Sequence, residues 1–158
     1  MIEPITDIEN ELTEEFARAI KAEHDPARPF VPFNRAHFIK TWNMLAKIGV
    51  CEAWVLKENR KPVGAIGGIL MPEMIDGKKV ASLAFWFVRQ NQHGSFNSTR
   101  LFLTFEAWAT TQRADRIVCA VCYDTLAGAQ KQFLEKCGYA NYETRYYKKL
   151  TPWEQKPL

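Results

Sequence analysis

The sequence lacks any long hydrophobic run. No apolar stretch among its 158 residues approaches the roughly 18 residues that a membrane-spanning helix requires. The acidic N-terminal stretch MIEPITDIENELTEE also lacks the apolar core of a secretory signal peptide. We therefore expect a cytoplasmic protein that does not contact a membrane.

Cysteine and histidine are scarce, with four and three residues respectively. Cys119 and Cys122 form a CxxC in the run RIVCAVC, but neither a second CxxC nor a pair of histidines accompanies them. Side chains three positions apart in a strand point to opposite faces, so these two thiols are poorly placed to share one zinc ion. The sequence therefore predicts no metal site, and reduced cysteines in a reducing compartment.

The sequence has no block of consecutive Lys and Arg residues, and its formal net charge is only +3. This mild excess suits an anionic ligand such as a nucleotide, but it does not require nucleic acid. The hydrophobic share of 47% and the charged share of 25% are those of a globular protein. The length is that of one domain, so we expect residues 1–158 to form a single domain.

Hydrophobic periodicity predicts a mixed α/β or α+β protein. After a short first strand, the T-x-x-E spacing from Thr6 predicts the start of a helix, and Asn34 can cap a second helix that Gly49 ends. Further helices are predicted from near Ser98 and from about 127 to 137. The strands are predicted near 51–59, 61–72, 79–89, 116–122 and 141–149. The two strands that flank the helix starting near Ser98 should be adjacent and parallel.

The stretch FWFVRQNQHGSFNSTRLFLTFEAWA combines a strand, a polar loop with Gly94 and the start of an amphipathic helix. A helix N-terminus presents backbone N–H groups that lack helical acceptors, and its dipole favours an anion. The layout can therefore hold a phosphate group. Asn97 and Ser98 can instead simply cap the helix. These residues alone favour neither interpretation.

The order of elements and three segments resemble the GNAT superfamily of N-acetyltransferases. VGAIGGIL resembles the third strand of that family, FVRQNQHGSFNSTRLFLTFEAWA its strand, pyrophosphate loop and helix, and FLEKCGY its closing helix and turn. The sequence departs from the family loop at His93, where Arg or Gln is usual, and at Phe96 and Ser98, where Gly and Gly or Ala are usual. The resemblance implies a central mixed sheet with flanking helices, and transfer of an acetyl group to a small-molecule or protein amine.

The resemblance also implies where the cofactor, acetyl-CoA or CoA, binds. Its pyrophosphate would lie on the N–H groups at the start of the helix, and its pantetheine arm would pair with the backbone of the preceding strand. The N–H of Val88 would then face the thioester carbonyl and stabilise the oxyanion. The implied cofactor-binding residues are Phe87, Val88, Gln90, His93, Gly94, Ser95, Phe96, Asn97, Ser98 and Thr99.

The proton donor that many family members use is absent from this sequence. Its usual position, four residues before the closing Gly138, holds Leu134 in place of a Tyr. Tyr123 and Asp124 directly follow the strand RIVCAVC, at the end where a cleft can open. We therefore predict that these two residues are catalytic. Asp124 can alternatively cap the next helix.

Two other functions stay open. GNAT-like proteins are common in phage genomes, and the Mom proteins of phages, which resemble the family and modify adenine in DNA, fit the missing Tyr and the mild basic charge. Such a protein would bind nucleic acid in the host cytoplasm, and a groove lined by Lys and Arg would favour this function. A non-catalytic scaffold that binds CoA or a partner protein also fits, and CoA binding without turnover would favour it. A homodimer is compatible with each of these functions.

Overall fold

A computed structural model describes residues 1–11, 34–89, 94–120 and 127–142. The chain divides into two compact units, one comprising Met1–Glu23 and Phe33–Ala120 and the other His24–Pro32 and Val121–Leu158. The elements of the first unit are β1 (Ile2–Pro4), α1 (Ile8–Glu11), α2 (Arg35–Lys47), β2 (Cys51–Glu58), β3 (Lys61–Pro72), β4 (Lys79–Val88), α3 (Phe96–Thr111) and β5 (Arg116–Val118). The second unit contains α4 (Ala127–Lys136).

The strands form one mixed sheet in the order β1-β2-β3-β4-β5. The first three pairings are antiparallel, and β4 pairs with β5 in parallel. Because parallel neighbours cannot be joined by a tight turn, the chain returns between them through α3. The prediction of a central mixed sheet, with two parallel strands joined by this helix, is confirmed.

The β2–β3 hairpin closes through two residues in left-handed backbone conformations. The φ angles of Asn59 and Arg60 are 48° and 64°. Two consecutive positive φ values are typical of a type I′ turn, whose twist matches that of the flanking strands. The turn places Glu58, the last residue of β2, opposite Lys61, the first residue of β3.

Side-chain caps set where the two N-terminal helices begin. Asn34 caps α2 as predicted, because its side chain accepts a hydrogen bond from the backbone N–H of His37. In α1 the capping residue is Asp7 and not Thr6, since Oδ1 of Asp7 accepts a hydrogen bond of 3.0 Å from the backbone N–H of Glu9. Asp7 directly precedes the first helical residue, where a side-chain oxygen can reach the unpaired N–H groups.

Aromatic side chains cover both faces of the sheet. On one face Trp42 of α2 packs against Phe85 of β4, with ring centroids 5.2 Å apart. On the other face Trp108 of α3 packs against Trp54 of β2, with centroids 5.8 Å apart. The core cluster of the first face comprises Ile8, Ile39, Trp42, Ala53, Val55, Ala65 and Phe85. Burial of both faces explains why β2 and β3 contain continuous apolar runs.

Two consecutive glycines of β3 make this packing possible. They face opposite sides of the sheet, because side chains alternate along a strand. A Cβ atom on Gly67 would lie 2.4 Å from the ring of Phe85, and one on Gly68 would lie 2.5 Å from the ring of Trp108. The GG of VGAIGGIL therefore lets an aromatic ring lie directly on the backbone at each face.

The strand β5 is shorter than predicted. It ends at Val118, so the predicted extension through 119–120 is wrong, and 121–122 lie outside the described residues. Its ladder with β4 ends at Ser82, close to a bulge at Ala84 where the pairing of β4 with β3 shifts register. A bulge bends its strand and disrupts the ladder, which accounts for the early end of the parallel pairing.

Most of the strand predicted near 141–149 lies outside the described residues. Asn141 and Tyr142, its first two positions, belong to no strand. Helix α4 ends close to the predicted position, followed by Gly138 with a φ of 89°. The N–H of this glycine donates to the carbonyl of Glu135, as expected for a left-handed residue that closes a helix.

Candidate functional site

Gly94 and Ser95 form the entry to α3. Gly94 has a φ of 70°, a left-handed conformation that glycine adopts without steric cost. Ser95 is extended, and its Oγ accepts a hydrogen bond of 3.1 Å from the backbone N–H of Ser98. Ser95 is therefore the N-cap, so the alternative in which Asn97 or Ser98 caps the helix is wrong, and the helix begins two residues before the predicted start near Ser98. The helix begins at Phe96, because the cap directly precedes it.

The first turn of α3 leaves several backbone N–H groups available. The N–H groups of Ser98 and Thr99 donate to Ser95, the first to Oγ and the second to the carbonyl oxygen, each at 3.1 Å. The turn has no acidic residue of its own, so nothing within the helix compensates the positive end of its dipole. Such an end can bind an anion. At this end of α3, the N–H groups of Gly94, Ser95, Phe96 and Asn97 have no acceptor among the described residues.

The side chain of Phe96 points away from the core. It is 76% exposed, and the guanidinium carbon of Arg100 lies 5.8 Å from its ring centroid. Ser98, in contrast, is only 5% exposed. The two departures from the family loop thus have different consequences. Ser98 is a small side chain at a buried position. The large side chain of Phe96 points outward instead, and its backbone N–H stays at the end of the helix.

A carboxylate from the β2–β3 hairpin also lies at the start of α3. Asn97 donates a long hydrogen bond of 3.4 Å from Nδ2 to Oε1 of Glu58. Glu58 is partly buried, and the tight turn that follows it fixes where its backbone lies. The N-terminal end of α3 therefore has an acidic neighbour that its own sequence does not supply.

The last residues of β4 lead from the bulge to the loop before α3. Phe87 packs against the core cluster of the first face. Val88 lies opposite Gly64, and a Cβ atom on that glycine would lie 2.7 Å from Cγ1 of Val88. Both side chains thus have structural roles that are independent of their backbones. Because the ladder with β5 ends at Ser82, this part of β4 extends beyond the described pairing with its parallel neighbour.

Four of the predicted site residues, Gln90, His93, Tyr123 and Asp124, lie outside the described residues. Leu134 is described, and its side chain is buried, with 8% of its surface exposed. An apolar side chain cannot exchange a proton, so a donor at this position of α4 is excluded.

Two open grooves occur in the described part of the chain. The smaller, of about 340 Å³, is lined by Met1, Glu3, Lys57, Asn59 and Arg60. The larger, of about 580 Å³, is lined by Ile2, Pro4, Trp54, Arg100, Leu103, Thr104 and Ala107. Neither is lined mainly by Lys and Arg, so these grooves give no support to DNA modification. Within the described ranges no group of three or more His, Cys, Asp or Glu could hold a metal ion, and no helix there is long and apolar enough to cross a membrane.

Two groups with shifted pKa values lie outside the set of predicted site residues. Burial raises the pKa of the Cys51 thiol to about 11, and the charge of Glu52 adds to the shift. The Cys51 thiol donates to the carbonyl oxygen of Trp42, with a separation of 3.6 Å. A hydrogen bond to Glu3 raises the pKa of Lys57. We interpret both shifts as consequences of packing and ion pairing, not of catalysis.

Comparison with known proteins identifies the family. Residues 7–139 match the Acetyltransferase (GNAT) family. The chain belongs to this family. No curated protein sequence matches it.

Solved structures of other GNAT proteins share the fold. An aminoglycoside acetyltransferase from an uncultured soil metagenomic sample, in complex with trehalose, has a TM-score of 0.69 at 15% identity, and the match covers 96% of each chain. Glucosamine-6-phosphate N-acetyltransferase from Arabidopsis thaliana has a TM-score of 0.71 at 11% identity, covering 96% of this chain and 98% of that one. AAC(6′)-Iy in complex with the bisubstrate analogue CoA-S-monomethyl-acetylneamine has a TM-score of 0.71 at 10% identity, with the same coverage.

The GNAT family uses acetyl-CoA, and the start of α3 fits the anionic part of that molecule. The backbone N–H groups of Gly94 to Asn97 are suitable donors for a pyrophosphate, and Gly94 lets the chain turn there without steric strain. Glu58 contributes a carboxylate that contacts the side chain of Asn97 in the first turn of the helix.

Proposed function

We propose that this GNAT protein transfers an acetyl group from acetyl-CoA to an amine of a small molecule or a protein. The observation that carries the proposal is the set of N–H groups at the start of α3 that have no acceptor among the described residues, in a chain that belongs to this family. Acetyl-CoA supplies the activated acyl group when it is bound. Residues of this chain bind the cofactor, stabilise the oxyanion and transfer protons.

The cofactor-binding residues fall into two sets. The N–H groups from Gly94 to Asn97 hold the pyrophosphate, and His93 and Ser95 are assigned to the same set. Ser98 and Thr99 belong to this set indirectly. Their N–H groups both donate to Ser95, which holds Ser95 in place as the cap. The backbone of Phe87, Val88 and Gln90 aligns the pantetheine arm, and the N–H of Val88 faces the reacting carbonyl.

Proton transfer requires a further residue. The attacking amine must lose a proton, and the departing thiolate must gain one. Leu134 cannot serve, because its side chain has no exchangeable proton. We assign this role to Asp124 or Tyr123, acting directly or through a water molecule.

The acceptor is an amine, and amino sugars are the first class to test. The structurally similar proteins include aminoglycoside acetyltransferases and a glucosamine-6-phosphate N-acetyltransferase. These proteins share only the fold with this chain at 10–15% identity, so they suggest a screening order and not a substrate. Protein amines belong in the same screen.

The proposal is tested in two stages. Calorimetry with CoA, dephospho-CoA and pantetheine measures binding, and we expect the first two to bind more tightly than pantetheine, which lacks the pyrophosphate. Thiol release from acetyl-CoA in the presence of each amine then measures turnover. The absence of detectable CoA binding at millimolar concentration would refute the proposal. Binding without turnover on any amine would instead support the scaffold function.

A further inference from the structure

Phe96 exposes an aromatic ring beside the N–H groups that are proposed to hold the pyrophosphate. Its side chain is 76% exposed, although it is the first residue of α3 and its own N–H belongs to that set. A single exposed apolar side chain is common on protein surfaces, so exposure alone assigns no role to this one. The distinguishing feature of this ring is its place next to a proposed nucleotide-binding helix end.

Arg100 lies over one side of the Phe96 ring. It follows Phe96 by four positions on α3, so the two side chains are neighbours on the helix surface. The guanidinium carbon lies 5.8 Å from the ring centroid, a cation–π contact. Arg100 is exposed, and within the described part of the chain its side chain makes no hydrogen bond or ion pair. Its N–H donors lie in the guanidinium plane and are therefore available to an anion.

The nucleotide end of CoA carries the two groups that this pair can bind. A single ribose joins the adenine to the pyrophosphate, and the same ribose carries a 3′-phosphate. A nucleotide base stacks readily on an aromatic side chain, and a guanidinium binds a phosphate through paired N–H donors. Because Phe96 supplies one of the proposed N–H donors, its ring lies within one nucleotide of the pyrophosphate.

We propose that Phe96 and Arg100 bind the adenosine 3′-phosphate of CoA, an inference that rests on the proposed function. Adenine stacks on the face of the Phe96 ring that is turned away from Arg100. The guanidinium of Arg100 pairs with the 3′-phosphate. Phe96 stands where the family loop has a glycine, so this chain has a stacking surface that a glycine does not supply.

Substitutions of Phe96 test the stacking contact. Phe96→Ala should weaken CoA binding by about five- to twentyfold, the lower part of the range for a base stacked on an aromatic side chain. Phe96→Leu keeps an apolar side chain without an aromatic face, and its affinity should fall between those of Phe96→Ala and the wild type. Phe96→Tyr keeps the aromatic face and should bind CoA within about twofold of the wild type.

Substitution of Arg100 tests the phosphate contact. Arg100→Gln should weaken CoA binding by up to about fivefold at low salt, the effect of one exposed ion pair, and by less at high salt. Dephospho-CoA lacks the 3′-phosphate, so its affinity should change less than that of CoA. The same ligand should show the full effect of Phe96→Ala, because it retains the adenine.

Two control variants alter similar exposed groups elsewhere. Leu103→Ala removes an apolar side chain that is 47% exposed, seven positions further along α3 and about 10 Å from Phe96 along the helix axis. Lys40→Gln removes an exposed positive charge from α2, which packs on the other face of the sheet. Both variants should leave the affinity for CoA unchanged.

Titration calorimetry with CoA and dephospho-CoA distinguishes the outcomes, with thermal unfolding as the check that each variant folds. Equal CoA affinity in the wild type, Phe96→Ala and Phe96→Leu would overturn the stacking contact and leave the proposed function standing. An equal loss of CoA and dephospho-CoA binding in Arg100→Gln would overturn the pairing with the 3′-phosphate. If the wild type binds neither ligand, the proposed function itself fails and this inference fails with it.

Discussion

Replacement of Ser95 separates helix capping from anion binding. In the unbound protein Oγ of Ser95 accepts from the N–H of Ser98, which is a capping interaction. In the proposed complex, neighbouring N–H groups hold a pyrophosphate. Ser95→Asp keeps a capping oxygen and adds a negative charge, whereas Ser95→Ala removes the cap and adds none. The two variants should therefore rank in opposite orders for stability and for CoA binding.

The expected effect on stability follows from the single hydrogen bond that the cap supplies. Loss of a Ser cap typically costs about 1 kcal/mol, within a range of about 0.5–2 kcal/mol. For a chain of this length that loss lowers the melting temperature by roughly 2–4 °C. Ser95→Asp should match or slightly exceed the stability of the wild type, because Asp caps as well as Ser and its charge favours the helix dipole.

The expected effect on binding follows from Coulomb repulsion. Two unit charges about 4 Å apart interact by ~1 kcal/mol in water and by ~4 kcal/mol at an effective dielectric constant of ~20. The carboxylate of Ser95→Asp would lie beside the same N–H groups as the pyrophosphate. We therefore expect CoA to bind roughly five- to several-hundredfold more weakly to Ser95→Asp than to the wild type. Ser95→Ala should bind within about threefold of the wild type, because it adds no charge.

Differential scanning calorimetry and titration calorimetry on the same three proteins test this ranking. The reasoning is supported if Ser95→Asp is stable but binds poorly, and Ser95→Ala is less stable but binds. If Ser95→Asp binds CoA as tightly as the wild type, the start of α3 does not hold the pyrophosphate. If both variants lose stability and binding together, Ser95 has a structural role only.

Three further predictions concern the chemistry and the core. Asp124→Asn or Tyr123→Phe should lower turnover by about 10²–10⁴, measured as thiol release at unchanged melting temperature, and a loss below about threefold in both would refute a single-residue acid or base. Gly67→Ala should destabilise the protein by roughly 1–3 kcal/mol in urea unfolding, because its Cβ would overlap an aromatic ring, and an unchanged midpoint would contradict this packing. The pKa of Cys51, raised to about 11, leaves almost no thiolate at pH 8, so iodoacetamide followed by mass spectrometry should label it more slowly than the exposed Cys137, and equal rates would contradict its burial.

The architecture could be predicted from the sequence where periodicity is strong and the turns are short. The strand predicted near 61–72 matches β3, and the parallel pairing of β4 with β5 follows from the strand–helix–strand order. The end of β5 could not be predicted in this way. The end of this strand depends on the bulge at Ala84, which arises where β4 pairs with β3. The sequence gives no sign of it, because the run RIVCAVC continues past Val118 with the same apolar character.

The local start of α3 was predictable in principle from Gly94 and Ser95. A glycine followed by a serine, directly before an amphipathic run, is a usual entry to a helix, and Ser95 is a better cap than a residue inside the first turn. The outward position of Phe96 was not predictable, because the exposure of its ring depends on how α3 lies on the sheet. Phe96 stands where the family loop has a glycine. Because α3 starts at Phe96, the backbone N–H of this residue stays at the helix end, so the replacement does not remove a donor.

The contact between Glu58 and Asn97 shows what sequence reasoning about this site leaves out. The residues predicted to bind the pyrophosphate all lie in one loop and the helix turn that follows it, whereas Glu58, which contacts Asn97, comes from a hairpin 39 positions earlier. Only the fold brings the two together, through the I′ turn that fixes Glu58 and the packing that sets α3 over the sheet. The N–H groups of the proposed site belong to the loop and the first turn of α3, whereas the contact with Glu58 is a tertiary one that this segment alone does not encode. A family motif therefore predicts a candidate site, but only the fold shows which side chains from other parts of the sheet lie beside it.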